Sequence, residues 1–95
     1  MNKVLPSAAD LLEPTLKAVQ KLGGVADIKS IEIEVIEMLK LDSNLVSQVR
    51  IGKRTELAYR LSWARTRAKN LGYLVKKGNR MWALTEKPLS GEYFK

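Results

Sequence analysis

The sequence predicts an α+β fold, in which three helices share one core and a small antiparallel sheet closes it. Three observations carry that prediction. Apolar residues recur at helical spacing in three stretches, each bounded by glycine or by a side chain able to cap a helix. After the last stretch, Gly72 stops the helical period and two short runs face each other across the polar loop Lys77-Gly78-Asn79-Arg80. Finally, 95 residues of which 45% are apolar suffice for one small core and no more.

Residues 1–10 read as a lead-in, with a turn at Pro6-Ser7. The domain proper spans 11–88, and 89–95 read as a tail or linker. The first helix runs over about residues 12–22, with Leu12, Leu16, Val19 and Leu22 on one face and Glu13 and Lys17 paired at i,i+4. Pro14 has no amide hydrogen and fits only near the helix start, so an irregular turn precedes it. Gly23-Gly24 ends the helix.

Val25 to Ile28 is a strand fragment, and Ser30 is expected to cap a second helix reaching about Leu41. There Ile31, Val35, Met38 and Leu39 form the apolar face, widened by Ile33 and Ile36. Glu32, Glu34 and Glu37 form its solvent side. Only Glu34 and Glu37 are helical neighbours, which favours a solvated face over a magnesium site.

Asp42 to Arg54 connects the second and third helices. Ser43 is expected to cap one turn carrying Leu45, Val46 and Val49, and Gly52-Lys53-Arg54 reads as a loop. Thr55 caps the third helix, which continues to Asn70 or Leu71. Its inner stripe is Leu57, Leu61, Ala64, Ala68 and Leu71. Strands are expected over Tyr73 to Lys76 and Met81 to Thr85, with Gly78 and Asn79 accepting positive φ in the turn. Trp82 and Leu84 alternate onto the face that packs on the helices. Helix, strand fragment, helix, helix, strand, strand is the order of a winged helix-turn-helix, whose third helix and hairpin wing approach nucleic acid.

The distribution of charge agrees with that order. Net charge is +7. From Arg50 to Arg80 ten basic residues stand against the single acid Glu56, whereas the first 49 residues hold five lysines against seven acids. One third of the chain thus carries all the excess. Such a footprint attracts phosphate backbones or acidic surfaces in a salt-dependent way.

Several function classes drop out. The chain has no histidine and no cysteine, which removes Ser-His-Asp and Cys-His catalysis, disulfides and the usual zinc sites. Neither an apolar run of membrane-spanning length nor a signal-peptide core is present. The expectation is a cytoplasmic protein, not an enzyme, with no cofactor and no membrane partner.

The run LAYRLSWARTRAKNLGYLVKKGNRMWALTEKP, Leu57 to Pro88, resembles the N-terminal winged-helix domain of Mrr-type restriction endonucleases. The motif is an arginine, Trp-Ala, a helix ending in glycine, a basic loop, then Trp-x-Leu-Thr. It is matched by Arg60, Trp63-Ala64, Gly72, Arg80, and Trp82, Leu84 and Thr85. The opening LLEPTLKAV, Leu11 to Val19, is also similar to the family's start. The resemblance implies double-stranded DNA as partner and delivery of a separate nuclease domain, in the same or another chain, to foreign or modified DNA. That nuclease uses two acids and a lysine around magnesium, and Glu86-Lys87 is only a fragment of such a set. Ala68 stands where the family often has a larger apolar residue, implying a thinner core under the helix. Pro88 replaces a glycine and argues against an extra C-terminal helix.

On the third helix Tyr59, Ser62, Thr66 and Asn70 form the outer stripe, flanked by Arg67 and Lys69. Hydroxyls and the asparagine amide suit base edges and phosphates. Lys53 and Arg54 before the helix, and Lys76, Lys77, Asn79 and Arg80 on the wing, would meet the sugar-phosphate backbone. Arg60 can make either an intramolecular ion pair or a phosphate contact. Trp63 could stack on a base or sugar but is expected instead to pack against a neighbouring element, and Trp82 is expected in the core. The same basic face also fits two alternatives, a stand-alone transcriptional regulator and a module that docks an acidic protein.

Overall fold

The computed structural model describes residues 4–89. Along the chain run α1 (Leu12–Lys21), β1 (Val25–Asp27), α2 (Ile28–Leu39), the single turn α3 (Ser43–Val46), β2 (Val49–Ile51), β3 (Arg54–Thr55), α4 (Glu56–Asn70), β4 (Leu74–Gly78) and β5 (Met81–Leu84). Strands β1, β5 and β4 form an antiparallel sheet in that order, and β2 and β3 form a separate two-stranded hairpin. The domain is α+β, compatible with a winged-helix layout in which β4 and β5 are the wing. The expected lead-in and tail fall partly on residues 1–3 and 90–95, outside the described residues.

Helix α1 is the hub. It packs on both α2 and α4, while those two make little contact with each other. Leu12, Thr15, Leu16, Ala18 and Val19 are its buried residues. An irregular turn precedes it, with the Leu11 amide donating to Ser7 O at 3.0 Å. Pro14 therefore lies in the first helical turn, where its missing N–H would have had no partner. Gly23 and Gly24 both adopt left-handed φ, and the Gly24 amide closes onto Val19 O at 2.9 Å.

The second helix departs from expectation at both ends. Its cap is Asp27, whose carboxylate accepts from the Ser30 amide at 2.6 Å, so Ser30 is the capped residue and the helix starts at Ile28. It stops at Leu39 because Lys40 turns left-handed at φ 51°. Its faces differ too. Glu34 is buried at 9% exposure and pairs with Lys21 at 2.8 Å across to α1, while Ile33 is 51% exposed. Residues 31, 34, 35 and 38 share the face turned to α1, so a paired carboxylate occupies a position assigned to solvent. Likewise Asp42, not Ser43, caps α3 by accepting from the Asn44 amide.

Leu57, Leu61, Ala64 and Ala68 of α4 are fully buried, and Thr55 caps the helix by accepting from the Ala58 amide at 3.0 Å. Arg65 joins them at 6% exposure, 5.9 Å from the Trp82 ring. Trp82 is core, as expected. Ala83 is buried as well, because β5 is the central strand and Ala83 lies between Val25 and Val75.

The wing strands begin and end slightly differently from the sequence reading, at Leu74–Gly78 and Met81–Leu84. In the turn it is Arg80, at φ 65°, that shares the left-handed region with Gly78, not Asn79. Gly52-Lys53 is the tip of the β2–β3 hairpin and not an open loop.

Arg60 resolves to a structural role. Its Nε donates to Glu56 Oε2 at 2.8 Å, and Nη1 donates to Leu5 O at 3.0 Å and Pro6 O at 3.1 Å. One guanidinium thereby ties the lead-in to α4, and Leu5 joins the core. At the other end of α4, Gly72 turns the chain at φ +89°, and its carbonyl accepts from the Thr85 hydroxyl. The Lys87 ammonium donates to Leu71 O at 2.6 Å.

Two outcomes follow for stability. Gly72→Ala forces a Cβ into the left-handed region and should lower the unfolding free energy by about 1–2 kcal/mol in urea titrations. An unchanged midpoint would contradict the turn geometry. Glu56 is held below the ordinary glutamate value of 4.5, first by the Arg60 hydrogen bond and then by Arg50. Its stabilisation is therefore present above that value and is lost as pH falls through the depressed one. Glu56→Gln should melt lower than wild type at neutral pH, with the gap closing as pH falls below the ordinary glutamate value. A constant gap would show that the ion pair contributes nothing.

Candidate nucleic-acid interface

The outer side of α4 is polar because its inner side is spoken for. With 3.6 residues per turn, burial of positions 57, 61, 64 and 68 turns 59, 63, 66 and 70 outward. Trp63, Thr66, Arg67, Lys69 and Asn70 are all exposed, while Tyr59 and Ser62 are half-buried.

Toward the C-terminal end of α4, the structure gathers Thr66, Arg67 and Asn70 with Trp63, Leu71 and the lead-in residues Ala8 and Ala9 around an open pocket of about 420 Å³. Trp63, expected to pack against a neighbouring element, is 52% exposed. It meets Tyr59 edge-on at 6.4 Å, and the small side chains of Ala8 and Ala9 opposite cannot cover an indole. The pocket thus combines an aromatic face, a hydroxyl, an amide and a guanidinium. That set can stack a planar ring and hydrogen-bond its edge.

At the N-terminal end a second cleft, about 360 Å³, is lined by Ile28, Lys29, Glu32, Lys53, Arg54, Thr55, Ala58 and Arg80. It draws Lys53 and Arg54 from the small hairpin and Arg80 from the wing to one place. The Ile28 amide donates to Arg80 O at 3.0 Å, which fixes the wing turn to the start of α2.

The remaining predicted residues lie in neither concavity. Ser62 donates its hydroxyl to Tyr59 O at 2.6 Å, which leaves it an acceptor toward any ligand. Tyr59 lies under the Arg50 guanidinium, 3.6 Å from the ring centroid, with Arg54 at 5.5 Å. Its ring therefore orders the basic hairpin as much as it faces outward. Lys69 is exposed on the helix flank, and Lys76, Lys77 and Asn79 are exposed on the wing.

Sequence reasoning missed Lys29, Arg50, Arg65 and the Ala8-Ala9 wall. Placing the second cap at Ser30 left Lys29 outside the helix. With Asp27 as cap, Lys29 falls in the first turn and beside the wing. Arg65 is the innermost cation. Burial pushes its guanidinium below the ordinary value, the charge of Arg54 adds to that, and Glu32 opposes it.

Among the described residues no three carboxylates converge on a possible metal site, and no helix is long and apolar enough to cross a membrane. Neither the curated proteins nor the solved structures contain a match to the chain. The family model of the Mrr N-terminal domain matches residues 9–90, from the turn before α1 to just past Leu89. The arginine, Trp-Ala, glycine and Trp-x-Leu-Thr positions that carried the resemblance all fall within that match, and this chain belongs to the Mrr N-terminal domain family.

Proposed function

We propose that this domain is a non-catalytic module that binds double-stranded DNA, with α4 in a groove and the two basic hairpins on the flanking backbone, and that it recognises targets for a restriction system in the cytoplasm. The observation that carries the reading is the outer face of α4. Five exposed residues there include two cations and two neutral hydrogen-bonding side chains, and the two hairpins beside them add Lys53, Arg54, Lys76, Lys77 and Arg80. The only acid on α4, Glu56, is neutralised by Arg50 at 3.1 Å and Arg60 at 2.8 Å. A phosphate backbone therefore meets positive potential along the whole face.

Roles divide by chemistry. Lysines and arginines on the hairpins confer affinity without reading sequence, whereas Thr66 and Asn70, exposed and neutral, are placed to meet base edges. Trp63 belongs with them, as a stacking surface beside Asn70. The nuclease action of a restriction system would come from another domain, joined to this one or recruited to it.

If five to six phosphates are neutralised, log affinity for a short duplex should fall with log salt at a slope of about −5. A flat response would sink the proposal, and absence of duplex binding at low salt would favour an acidic protein partner. Replacing Lys76 and Lys77 together by alanine should weaken binding about equally on all sequences and flatten the slope by about two. Thr66→Ala and Asn70→Ala should instead change the ranking of a panel of methylated and unmethylated duplexes, at a cost of about 1–3 kcal/mol on the preferred one. Equal losses on every duplex would remove both residues from base reading.

A further inference from the structure

We propose that the cleft between the start of α2, the start of α4 and the wing turn is a discrete phosphate-binding subsite, in which Lys29, Lys53, Arg54 and Arg80 hold one phosphate group of the DNA backbone. The choice of DNA as the source rests on the proposed function; the phosphate chemistry does not.

Charge balance is the first argument. Four cations and one carboxylate, Glu32, line the cleft. Among the described residues none of the four cations has an ion-pair partner within 4.0 Å, the four such pairs being made elsewhere. Asp27, which Arg80 also faces, is engaged as the cap of α2. Like charges brought together around one concavity repel, and a bound anion removes that cost. Arg65 lies within electrostatic reach of Arg54 and Glu32, and its buried Nε has no hydrogen-bond partner. The positive potential is thus reinforced from inside the fold.

Backbone conformation is the second. Arg80 stands at φ 65°, a region that disfavours a side chain with a Cβ. Glycine or asparagine would sit there with less strain. The turn keeps an arginine, and the Ile28–Arg80 backbone bond of 3.0 Å aims that turn at α2 independently of its side chain. The third is the meeting of two helix starts. Ile28 and Lys29 open a 12-residue helix, and Thr55 and Ala58 flank the start of a 15-residue one, so both positive helix ends face the cleft.

Position gives the subsite its purpose. Ala58 and Thr55 place it beside the N-terminal end of the outer face of α4. A phosphate anchored there would fix how far α4 slides along a groove, and so which bases Thr66 and Asn70 meet.

The test uses the 95-residue chain with inorganic pyrophosphate and with a short duplex. In amide NMR titrations pyrophosphate should give saturable shifts confined to the starts of α2 and α4 and the wing turn. Lys29→Ala and Arg80→Ala should each weaken that binding about tenfold, and Glu32→Gln should tighten it severalfold. The opposed signs separate an anion site from general loss of structure. On the duplex, Lys29→Ala should weaken affinity and reduce the salt slope by about one. Localised pyrophosphate binding without any effect of Lys29→Ala on the duplex would overturn the DNA source and leave a site for free phosphate. Pyrophosphate binding with no duplex binding at all would overturn the proposed function and leave the subsite standing. Diffuse shifts, unaltered by Glu32→Gln, in a protein that still binds duplex would overturn the subsite alone.

Discussion

Helix α4 can offer a polar face to a partner only because its other face is seated on α1. The seat is shallow: Ala64 and Ala68 are the buried apolar residues of its last two turns, beside Arg65, while α1, which packs on α4, buries Leu12, Leu16 and Val19. Small side chains on one helix and branched ones on the other let the axes approach closely and restrict rotation. Since α1 also carries α2, the angle between α2 and α4 is set through a third element. The basic cleft exists for that reason. Two helices that packed directly on each other would fill the space where Lys29, Arg54 and Arg80 now converge.

Most residues that carry the family resemblance hold this arrangement together. Arg60 ties residues 5 and 6 to α4, Gly72 reverses the chain, Thr85 closes on the Gly72 carbonyl, and Trp82 fills the core under Arg65. Arg80 and Trp63 are the exceptions, one strained in the wing turn and one half exposed. The family match therefore explains the scaffold more fully than it explains any choice of target. Selectivity within the DNA-binding reading falls to Thr66, Arg67 and Asn70, which lie between the motif positions and around the Trp63 pocket.

What the sequence made legible was what local rules govern. The period of the helices, the Thr55 cap, the glycine stops and the wing hairpin all depend on neighbours within a turn or two, and all are present. What was misread or left open depends on partners far away in sequence. Glu34 faces inward because Lys21 of α1 meets it, and the choice left open for Arg60, between an ion pair and a phosphate contact, is decided by Glu56 and by two carbonyls more than fifty residues earlier that accept from it. The caps at Asp27 and Asp42 were missed for a smaller reason. Asp27 stands three residues ahead of Ser30 and Asp42 directly ahead of Ser43, serines that cap equally well on paper, and only the extended backbone at the aspartate decides between them. Of the site, the basic wing hairpin and the outer stripe were readable from charge and period, whereas the β2–β3 hairpin read only as a basic loop. The two concavities were not, since the pocket is assembled from two separate stretches of chain and the cleft from three.

The two concavities lie at opposite ends of one helix face, and their chemistries differ in a way that matters for recognition. The N-terminal cleft is cationic, and it is fixed to the scaffold by a backbone bond. The C-terminal pocket is aromatic and hydrogen-bonding, with a single cation, Arg67. In the proposed function, a charged anchor at one end of a helix of 15 residues, about 22 Å long, would convert a non-directional attraction into a fixed register at the other end. In the proposed reading, Coulomb attraction from the exposed basic residues would without the anchor hold DNA in many registers of similar energy, and Thr66 and Asn70 would meet a different base in each. The polar end needs only modest interactions if the charged end has already removed those alternatives, since phosphate contacts position and base contacts specify.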